Sequence, residues 1–160
     1  MSIELVRLDD RLIHGQVVTS WTRTKGINAI LAVDDKVAKD KFQIQLMKMA
    51  TPPGVTAHFL TTQEAIDNIL SDKYAGKKCM LLMKTAKTLY DLCNSELNLK
   101  DINVGNMRGK DAKIQLHNIV YVNEEDLKLF KELSNKGINL YAQAVVNDKA
   151  CVLNEIINNK

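Results

Sequence analysis

One ten-residue stretch near the start of the chain holds the side chains best suited to chemistry. Residues 7–16 read Arg-Leu-Asp-Asp-Arg-Leu-Ile-His-Gly-Gln, and His14 is the only strong nucleophile among them. A neutral imidazole can attack phosphorus directly and form a phosphohistidine. Arginine offers phosphoryl oxygens a rigid bidentate fork that lysine lacks. The stretch therefore predicts a site for an anionic group, with His14 as the candidate phosphoryl acceptor.

The positive charge for such a site is expected from arginines and from a helix end. Phosphoryl transfer requires mainly in-line positioning and charge stabilisation. Arg7 and Arg11 flank the histidine, and Arg108 lies in a segment predicted to be a later loop. A helix expected to begin near Gly15 or Gln16 would point its free N–H groups at the same anion.

The two aspartates of the stretch have two possible roles. Asp9 or Asp10 could orient the His14 ring by accepting its second N–H, and of the two we prefer Asp9. The alternative is a solvated turn in which the aspartates pair with the neighbouring arginines. Leu12 and Ile13 favour the first interpretation, because apolar side chains there would anchor the loop and hold the histidine at the rim.

Strands alternate with helices along the chain. Apolar runs predict strands at residues 3–8, 28–33, 55–60, 78–83, 101–104, 118–122 and 138–144. This order predicts an α/β fold, a three-layer arrangement with a mainly parallel sheet and helices on both faces. Ligands in such folds bind beyond the carboxyl ends of the strands, which is where the His14 stretch would lie.

Local signals predict where the helices begin. Residues 16–24 form the first predicted helix, and a short helix is expected in the tail after Lys149. Later helices are expected after Asp34–Asp35, after capping boxes at 61–64 and 88–91, and after Asn123. In the second helix, one set of apolar side chains recurs at helical spacing: Phe42, Leu46, Met49 and Ala50.

Composition excludes several classes of protein. The chain has 160 residues, of which 46% are hydrophobic and 26% charged, as in an ordinary globular domain. It has no apolar run near 18 residues, and its opening residues do not resemble a secretory signal, so we expect a cytoplasmic protein. A net charge of +3 and 5% aromatic residues do not favour nucleic acid as a partner.

Metal and nucleotide sites are not expected either. The three cysteines are widely spaced without a Cys-x-x-Cys pair, and the three histidines lack metal-ligand spacing, so we expect reduced thiols and no metal. Neither a Gly-x-Gly-x-x-Gly run nor a phosphate-binding Gly-x-x-x-x-Gly-Lys-Ser/Thr run is present. We therefore expect no cofactor.

The stretch from Arg7 to Val17 resembles the phosphorylation-site loop of the IIB subunits of the mannose/sorbose family of the bacterial sugar phosphotransferase system. Further similar segments are Ile30–Val37, Lys84–Thr88 and Asn103–Met107, so the likeness runs through essentially the whole chain. The resemblance implies one IIB domain over residues 1–160.

The resemblance also implies a function and a set of partners. His14 would receive a phosphoryl group from a phosphorylated IIA protein and pass it to a sugar carried by the membrane subunits IIC and IID. The protein would associate peripherally with that transporter complex, and its oligomeric state stays open, a homo-oligomer included. The expected catalytic residues are His14, Arg11 and Asp9. The expected phosphate-binding residues are Arg7, Gly15, Gln16, Thr85, Gly105, Asn106 and Arg108.

One position departs from the family pattern. The family's fifth loop usually carries paired glycines, whereas the second of the pair is Asn106 here. Asparagine tolerates positive φ better than most residues, so a turn could survive. The Asn106 amide could then donate to a phosphoryl group or crowd it.

Other interpretations stay open at this point. The protein could be a non-catalytic module that binds a phosphorylated partner, or a hydrolase that forms phosphohistidine and releases phosphate to water. Thr85 could contact phosphate, cap the next helix, or do both. His58 is expected to be a half-buried structural residue of a strand, and His117 a loop or strand-end residue. Trp21 is expected in the core, with partner docking as its alternative.

Overall fold

A nine-stranded sheet forms the centre of the molecule in the computed structural model, which describes residues 1–160. The strands are β1 (Ser2–Asp9), β2 (Ala29–Val33), β3 (Thr56–Leu60), β4 (Lys78–Met83), β5 (Asp101–Arg108), β6 (Ile114–His117), β7 (Val120–Val122), β8 (Asn139–Ala142) and β9 (Cys151–Val152). Their order is β3-β2-β4-β1-β5-β7-β6, with β8 pairing β5 and β9 pairing β8. β2 and β4 are almost wholly buried, as their continuous apolar runs predicted.

Most strand pairs are parallel, as predicted. The two antiparallel pairs are β6 with β7 and β8 with β9, both at the margins of the sheet. β1 lies in the middle, hydrogen-bonded to β4 on one side and to β5 on the other. The loop after β1 therefore leaves the centre of the sheet's carboxyl edge, where the fold places ligands.

Helices cover both faces of this sheet. They are α1 (Gly15–Lys25), α2 (Lys41–Met49), α3 (Thr62–Leu70), α4 (Ala86–Cys93), α5 (Glu124–Asn135) and α6 (Asn154–Asn158). α1 and α2 pack on one face, around a cluster that includes Val18, Trp21 and Met80. The other four helices pack on the opposite face, around the larger cluster. No helix combines the length and the apolar character needed to cross a membrane.

Three of the predicted helix starts are confirmed and two are wrong. The first helix begins at Gly15, as expected. Thr61 and Asn123 each cap a helix with a complete capping box. Thr88 does not begin a helix, because Thr85 is the N-cap of α4 and accepts the Thr88 N–H. The segment after residues 34–35 forms a 3₁₀ turn first, and Asp40 caps α2.

The carboxyl-terminal half of the sheet differs most from the prediction. β5 continues to Arg108, so Gly105 and Asn106 lie in a strand and not in a loop. Neither residue has positive φ, because Asn106 pairs with Asp9 of β1 and the neighbouring strand fixes an extended backbone. β6 and β9 were not predicted, since they are only four and two residues long.

The apolar side chains that α2 carries at helical spacing are mostly exposed. Phe42 is 72% exposed, Leu46 50% and Met49 83%, and α2 contributes no fully buried residue. Its neighbours Met47 and Ala50 are the ones that pack partly against the core. Of the four apolar side chains predicted at helical spacing, Ala50 therefore packs partly against the core, and Phe42, Leu46 and Met49 are exposed.

Candidate active site

The loop between β1 and α1 is anchored by two apolar side chains. The Leu12 N–H donates to the Asp9 carbonyl at 2.9 Å and closes a turn. Leu12 has a φ of 57°, which is unusual for a residue other than glycine, and both it and Ile13 are buried. The expected apolar anchor is therefore confirmed, and it brings His14 to the surface.

His14 occupies the N-cap position of α1 with its side chain exposed. Its carbonyl oxygen accepts the N–H groups of Val17 at 3.1 Å and Val18 at 3.3 Å. Its imidazole caps no backbone N–H and has no hydrogen-bond or ion-pair partner. Gly15 and Gln16 are also exposed, and the first turn of α1 contains no acidic residue. The ring therefore stands free beside the positive end of a helix.

Asp9 lies beneath the loop, where its carboxylate is bound by arginines. It is 1% exposed and accepts from Arg7 Nη2 at 3.0 Å. The Arg11 side chain binds it as a fork, through Nε at 3.0 Å and Nη2 at 2.9 Å, and the Arg11 backbone N–H donates as well. The Asp9 hydrogen bond raises the pKa of Arg11. Asp9 makes no hydrogen bond to His14, so the expected orienting contact is absent.

Arg7 is buried and fully engaged, which does not fit the expected direct contact with phosphate. It is 1% exposed, and burial lowers the pKa of its guanidinium. Besides Asp9, it donates to the Asn103 side chain and to the carbonyls of Gln143 and Ala144. These partners belong to β1, β5 and the segment after β8. Arg7 therefore ties three parts of the sheet's carboxyl edge together under the loop.

Gly105 and Trp21 complete the surroundings of this guanidinium. A Cβ atom on Gly105 would overlap the Arg7 guanidinium, so any larger residue there would force this buried group to shift. The Trp21 ring lies 5.5 Å from Arg7 Cζ, and its Nε1 donates to the Ala144 carbonyl at 3.1 Å. The expectation that Trp21 is a core residue is confirmed. We call Arg7 with its partners Asp9, Asn103, Gln143, Ala144 and Trp21 the buried network.

Asp10 is held by β5 and does not face the histidine either. It accepts the Asn106 side-chain amide at 2.7 Å and the Arg108 backbone N–H at 2.7 Å. The Asn106 amide therefore binds a carboxylate of the loop. The Arg108 side chain donates to the Asn118 carbonyl and lies over the Tyr121 ring at 5.3 Å. Its guanidinium is thus directed toward the β6–β7 turn.

Thr85 is exposed at the same edge of the sheet. Its side chain caps α4, so the cap interpretation is confirmed. Thr85 and Asp10 line a shallow depression of about 190 Å³, together with Lys84, Met107 and Asp126. Asp10 follows the carboxyl end of β1 and Thr85 follows that of β4, so the two residues lie on one surface.

The remaining histidines and cysteines have structural surroundings. His58 lies 4.9 Å from the Tyr74 ring, and burial lowers its pKa, as befits a half-buried strand residue. His117 ends β6 and accepts the Ile119 N–H. The cysteines are free thiols, and no group of three or more His, Cys, Asp or Glu side chains is arranged to hold a metal ion.

The segment after β8 belongs to the site although it was not predicted from the sequence. Gln143 and Ala144 contribute backbone carbonyls to Arg7, and carbonyls carry no signature in a sequence. Gln143 offered one signal, since its polar side chain directly follows an apolar strand. That side chain donates to the carbonyls of Val146 and Asp148 and holds the segment folded over Arg7.

Known proteins resemble the chain over nearly its whole length. A family model described as the PTS system sorbose subfamily IIB component, where PTS is the phosphotransferase system, matches residues 3–160. The mannose-specific EIIAB component of Escherichia coli K12 is 37% identical over 158 residues, which cover 99% of this chain and 49% of that protein. The chain thus spans about half the length of the mannose-specific relatives it matches.

Two further relatives match over their full length. The N-acetylgalactosamine-specific IIB component 1 of E. coli K12 is 37% identical over 149 residues, covering 92% of this chain and 94% of that one. The crystal structure of the IIBSor domain of the Klebsiella pneumoniae sorbose permease superimposes with a TM-score of 0.92 at 28% identity. It covers 100% of this chain and 98% of that one. The chain therefore belongs to the sorbose-subfamily IIB components of the phosphotransferase system.

Proposed function

We propose that this protein is a phosphocarrier that accepts a phosphoryl group on His14 and delivers it to a sugar. The donor is a phosphorylated IIA protein, and the sugar is carried by the membrane subunits IIC and IID. The observation that carries the proposal is the position of His14, exposed and without a partner at the N-terminus of α1. Membership of the IIB family supports it.

The first step is an in-line displacement at phosphorus. A ring nitrogen of neutral His14 attacks, a P–N bond to His14 forms, and the bond between phosphorus and its carrier atom on IIA breaks. In the second step a sugar hydroxyl attacks the same phosphorus, the P–N bond breaks, and the hydroxyl proton is released as the phosphate ester forms. Both steps ask the protein for positioning and for positive charge around the phosphoryl oxygens.

The chain's own groups supply that charge from two directions. The N–H groups of Gly15 and Gln16 at the start of α1 face an anion on His14. Arg11 is a side-chain cation of the same loop with surface access, at 36% exposure, and the Asp9 carboxylate fixes its guanidinium plane. Arg7 acts through Asp9 as a positioning residue, because it has no access to the phosphoryl group.

The groups on the rim of the site have smaller roles in this scheme. Asn106 positions the loop by binding Asp10, and Gly105 leaves room for the Arg7 guanidinium. Thr85 caps the nearby helix α4. Arg108 holds Asp10 through its backbone N–H. The names of the relatives refer to mannose, sorbose, fructose and N-acetylgalactosamine, so a hexose or amino-sugar derivative is the proposed class of acceptor.

Phosphorylation by the phosphoenolpyruvate-driven carrier proteins and a matching IIA tests the proposal. We expect one acid-labile phosphate on His14, located by peptide mass mapping at neutral pH, and no label in His14→Ala. His117→Ala is the matched control, because His117 is a partly exposed histidine at a strand end. It should be labelled like the wild type.

Two results would contradict the proposal. One is a label that survives in His14→Ala, which would place the acceptor elsewhere. The other is a wild-type chain that binds a matching phosphorylated IIA protein and stays unlabelled. Transfer of the label from His14 to the sugar, recovered as a sugar phosphate, on addition of membranes containing IIC, IID and sugar would establish the second step.

A further inference from the structure

Lys84 is the first residue after β4, and its side chain has no binding partner at the carboxyl edge of the sheet. It is partly buried, yet its ammonium group forms no ion pair and lies over no aromatic ring. Lys87, one turn further along the chain, differs because it is paired with Asp91. Lys84 therefore offers an uncommitted positive charge at the edge where the candidate site lies.

Strand register places Lys84 beside the base of the β1–α1 loop. β1 and β4 are paired as far as Leu8 and Met83, so Asp9 and Lys84 follow side by side, with backbones about 5 Å apart. Asp34 follows β2 on the other side of β4. Both carboxylates are already bound, Asp9 by two arginines and Asp34 by backbone N–H groups of the 3₁₀ turn. Neither of them neutralises Lys84.

The topology of the sheet brings the start of α1 over this lysine. α1 connects β1 to β2, and β4 lies between those two strands, so the connection crosses β4. Val18 and Trp21 of α1 accordingly share a core cluster with Met80 and Leu82 of β4. Alternation along the strand places Lys84 on the same side of the sheet as these two residues. The N-terminus of α1 therefore lies above Lys84.

The gap between Lys84 and His14 is one that the two side chains can span. Packed layers of secondary structure lie about 10 Å apart. A lysine stem of about 6 Å and an imidazole that carries a phosphoryl group reach across such a gap from its two sides. Lys84 also borders the shallow depression that Thr85 and Asp10 line, so its side chain is not enclosed.

The charges already assigned to the site leave room for one more cation. A phosphoryl group on a side chain carries about 1.5 to 2 negative charges at neutral pH. Arg7 and Arg11 share the Asp9 carboxylate, so together the three groups supply a single net positive charge, from the β1 side of the site. The N-terminus of α1 adds about half a charge. The Arg108 guanidinium is directed toward the β6–β7 turn.

We propose that Lys84 is a phosphoryl-binding residue, whose ammonium group contacts the phosphoryl oxygens on His14 from the β4 side. This inference rests on the proposed function. Asp9 fixes the plane of the Arg11 guanidinium, whereas Lys84 carries a point charge on a flexible stem. Lys84 can therefore follow the phosphoryl group as it arrives from IIA and leaves for the sugar.

Single-turnover labelling of His14 by phosphorylated IIA tests the role of Lys84. Lys84→Met keeps the length of the stem and removes the charge, so the rate should fall about tenfold. Lys84→Arg restores a cation and should stay within about threefold of the wild-type rate. Lys87→Met is the matched control, because the Lys87 side chain is 65% exposed and paired on α4. It should be labelled at the wild-type rate.

A ³¹P NMR titration of the phosphorylated chain separates direct contact from a structural role. An ammonium group beside the phosphoryl oxygens favours the dianion, so the phosphoryl pKa on His14 should rise by about 0.5 or more in Lys84→Met. Lys84→Arg and Lys87→Met should keep the wild-type phosphoryl pKa. Urea unfolding checks the fold of each variant, and Lys84→Gln replaces Lys84→Met if the latter does not fold.

The other outcomes would overturn one of the two proposals. A wild-type rate and a wild-type phosphoryl pKa in Lys84→Met would exclude the contact and leave the phosphocarrier function intact. A slower rate with an unchanged phosphoryl pKa would also exclude it, because Lys84 would then act on the encounter with IIA. A wild-type chain that binds phosphorylated IIA and stays unlabelled would overturn the phosphocarrier function itself.

Discussion

The two ends of the segment from Arg7 to Gln16 have opposite environments although both are rich in polar side chains. At one end, Arg7 and Asp9 are each 1% exposed, and their charged groups bind each other inside the protein. At the other end, His14 and Gln16 are exposed, and the imidazole is bound to nothing. The buried end provides rigidity, and the exposed end provides reactivity. Arg11 lies between them, bound to Asp9 but partly exposed.

This difference shows how a site on a loop can be held in place. The loop itself has few internal hydrogen bonds, and its φ of 57° at Leu12 is unfavourable for a leucine. Two sets of contacts hold the loop in place. One is the buried network beneath it, and the other is the hydrogen bond from the Asn106 amide to the Asp10 carboxylate. Substitutions at the buried end should therefore affect stability first, and substitutions at the exposed end should affect transfer alone.

The largest stability effect is expected for Arg7→Ala. Removing one partner of a buried ion pair usually costs 3–5 kcal/mol, and we expect about 3 kcal/mol here, because Asp9 keeps Arg11 as a partner. His14→Ala should change the free energy of unfolding by less than about 0.5 kcal/mol, since the side chain is exposed and unpaired. Urea unfolding of both variants measures the contrast.

An Arg7→Ala variant without a loss of stability would contradict the assignment of rigidity to the buried end of the segment. If the variant kept wild-type stability and lost phosphoryl transfer, Arg7 would contribute to transfer directly and not through the fold. A transfer rate per folded molecule below that of the wild type would support the positioning role, and a rate that falls only in proportion to the folded fraction would assign Arg7 to stability alone.

Gly105→Ala tests the buried network from β5. The added methyl group would overlap the Arg7 guanidinium, so one of the two must shift, and overpacking of this kind costs about 1–3 kcal/mol. In the Arg7→Ala background the clash disappears, and the same substitution should cost less than about 1 kcal/mol. A double-mutant cycle by urea unfolding measures this coupling. Additive effects would mean that the strain at Gly105 does not involve Arg7.

Sequence analysis predicted the exposed end of the site better than the buried end. His14 at the start of a helix and the anchor at Leu12 and Ile13 follow from local patterns. Whether an arginine faces solvent depends on what β5 and the segment after β8 bring above it, and these parts are about 95 and 135 residues away in the chain. The role of Arg7 was therefore beyond the reach of local patterns.

The fold shows the same limit. The parallel sheet and its two helical layers were predicted because apolar runs and helical spacing are local signals. β5 was predicted too short, since Gly105 and Asn106 are turn formers by composition, and pairing with β1 overrides that preference. The apolar side of α2 was recognised, but spacing alone does not say whether such a side faces the core or a partner.

Arg11→Lys examines the residue between the two ends. Lysine keeps the positive charge but cannot bind Asp9 as a fork, so its ammonium group would be less well placed for the phosphoryl group. We expect the rate of transfer to His14 to fall about tenfold, below the loss caused by removing a whole donor. Quench-flow measurement of single-turnover labelling gives the rate, and urea unfolding checks the fold. A wild-type rate would show that charge alone suffices at this position.

Thr85 should give the smallest effect and separates a cap from a phosphate contact. Thr85→Ala removes the oxygen that accepts the Thr88 N–H, and loss of such a cap costs about 1 kcal/mol. Thr85→Ser keeps a capping hydroxyl and should retain nearly full stability. If Thr85 is a cap and nothing more, transfer to His14 should keep its wild-type rate in both variants. A rate that falls in Thr85→Ala and recovers in Thr85→Ser would instead extend the reactive surface from the exposed end of the β1–α1 loop to the start of α4. The shared depression of Thr85 and Asp10 would then be part of the phosphoryl site.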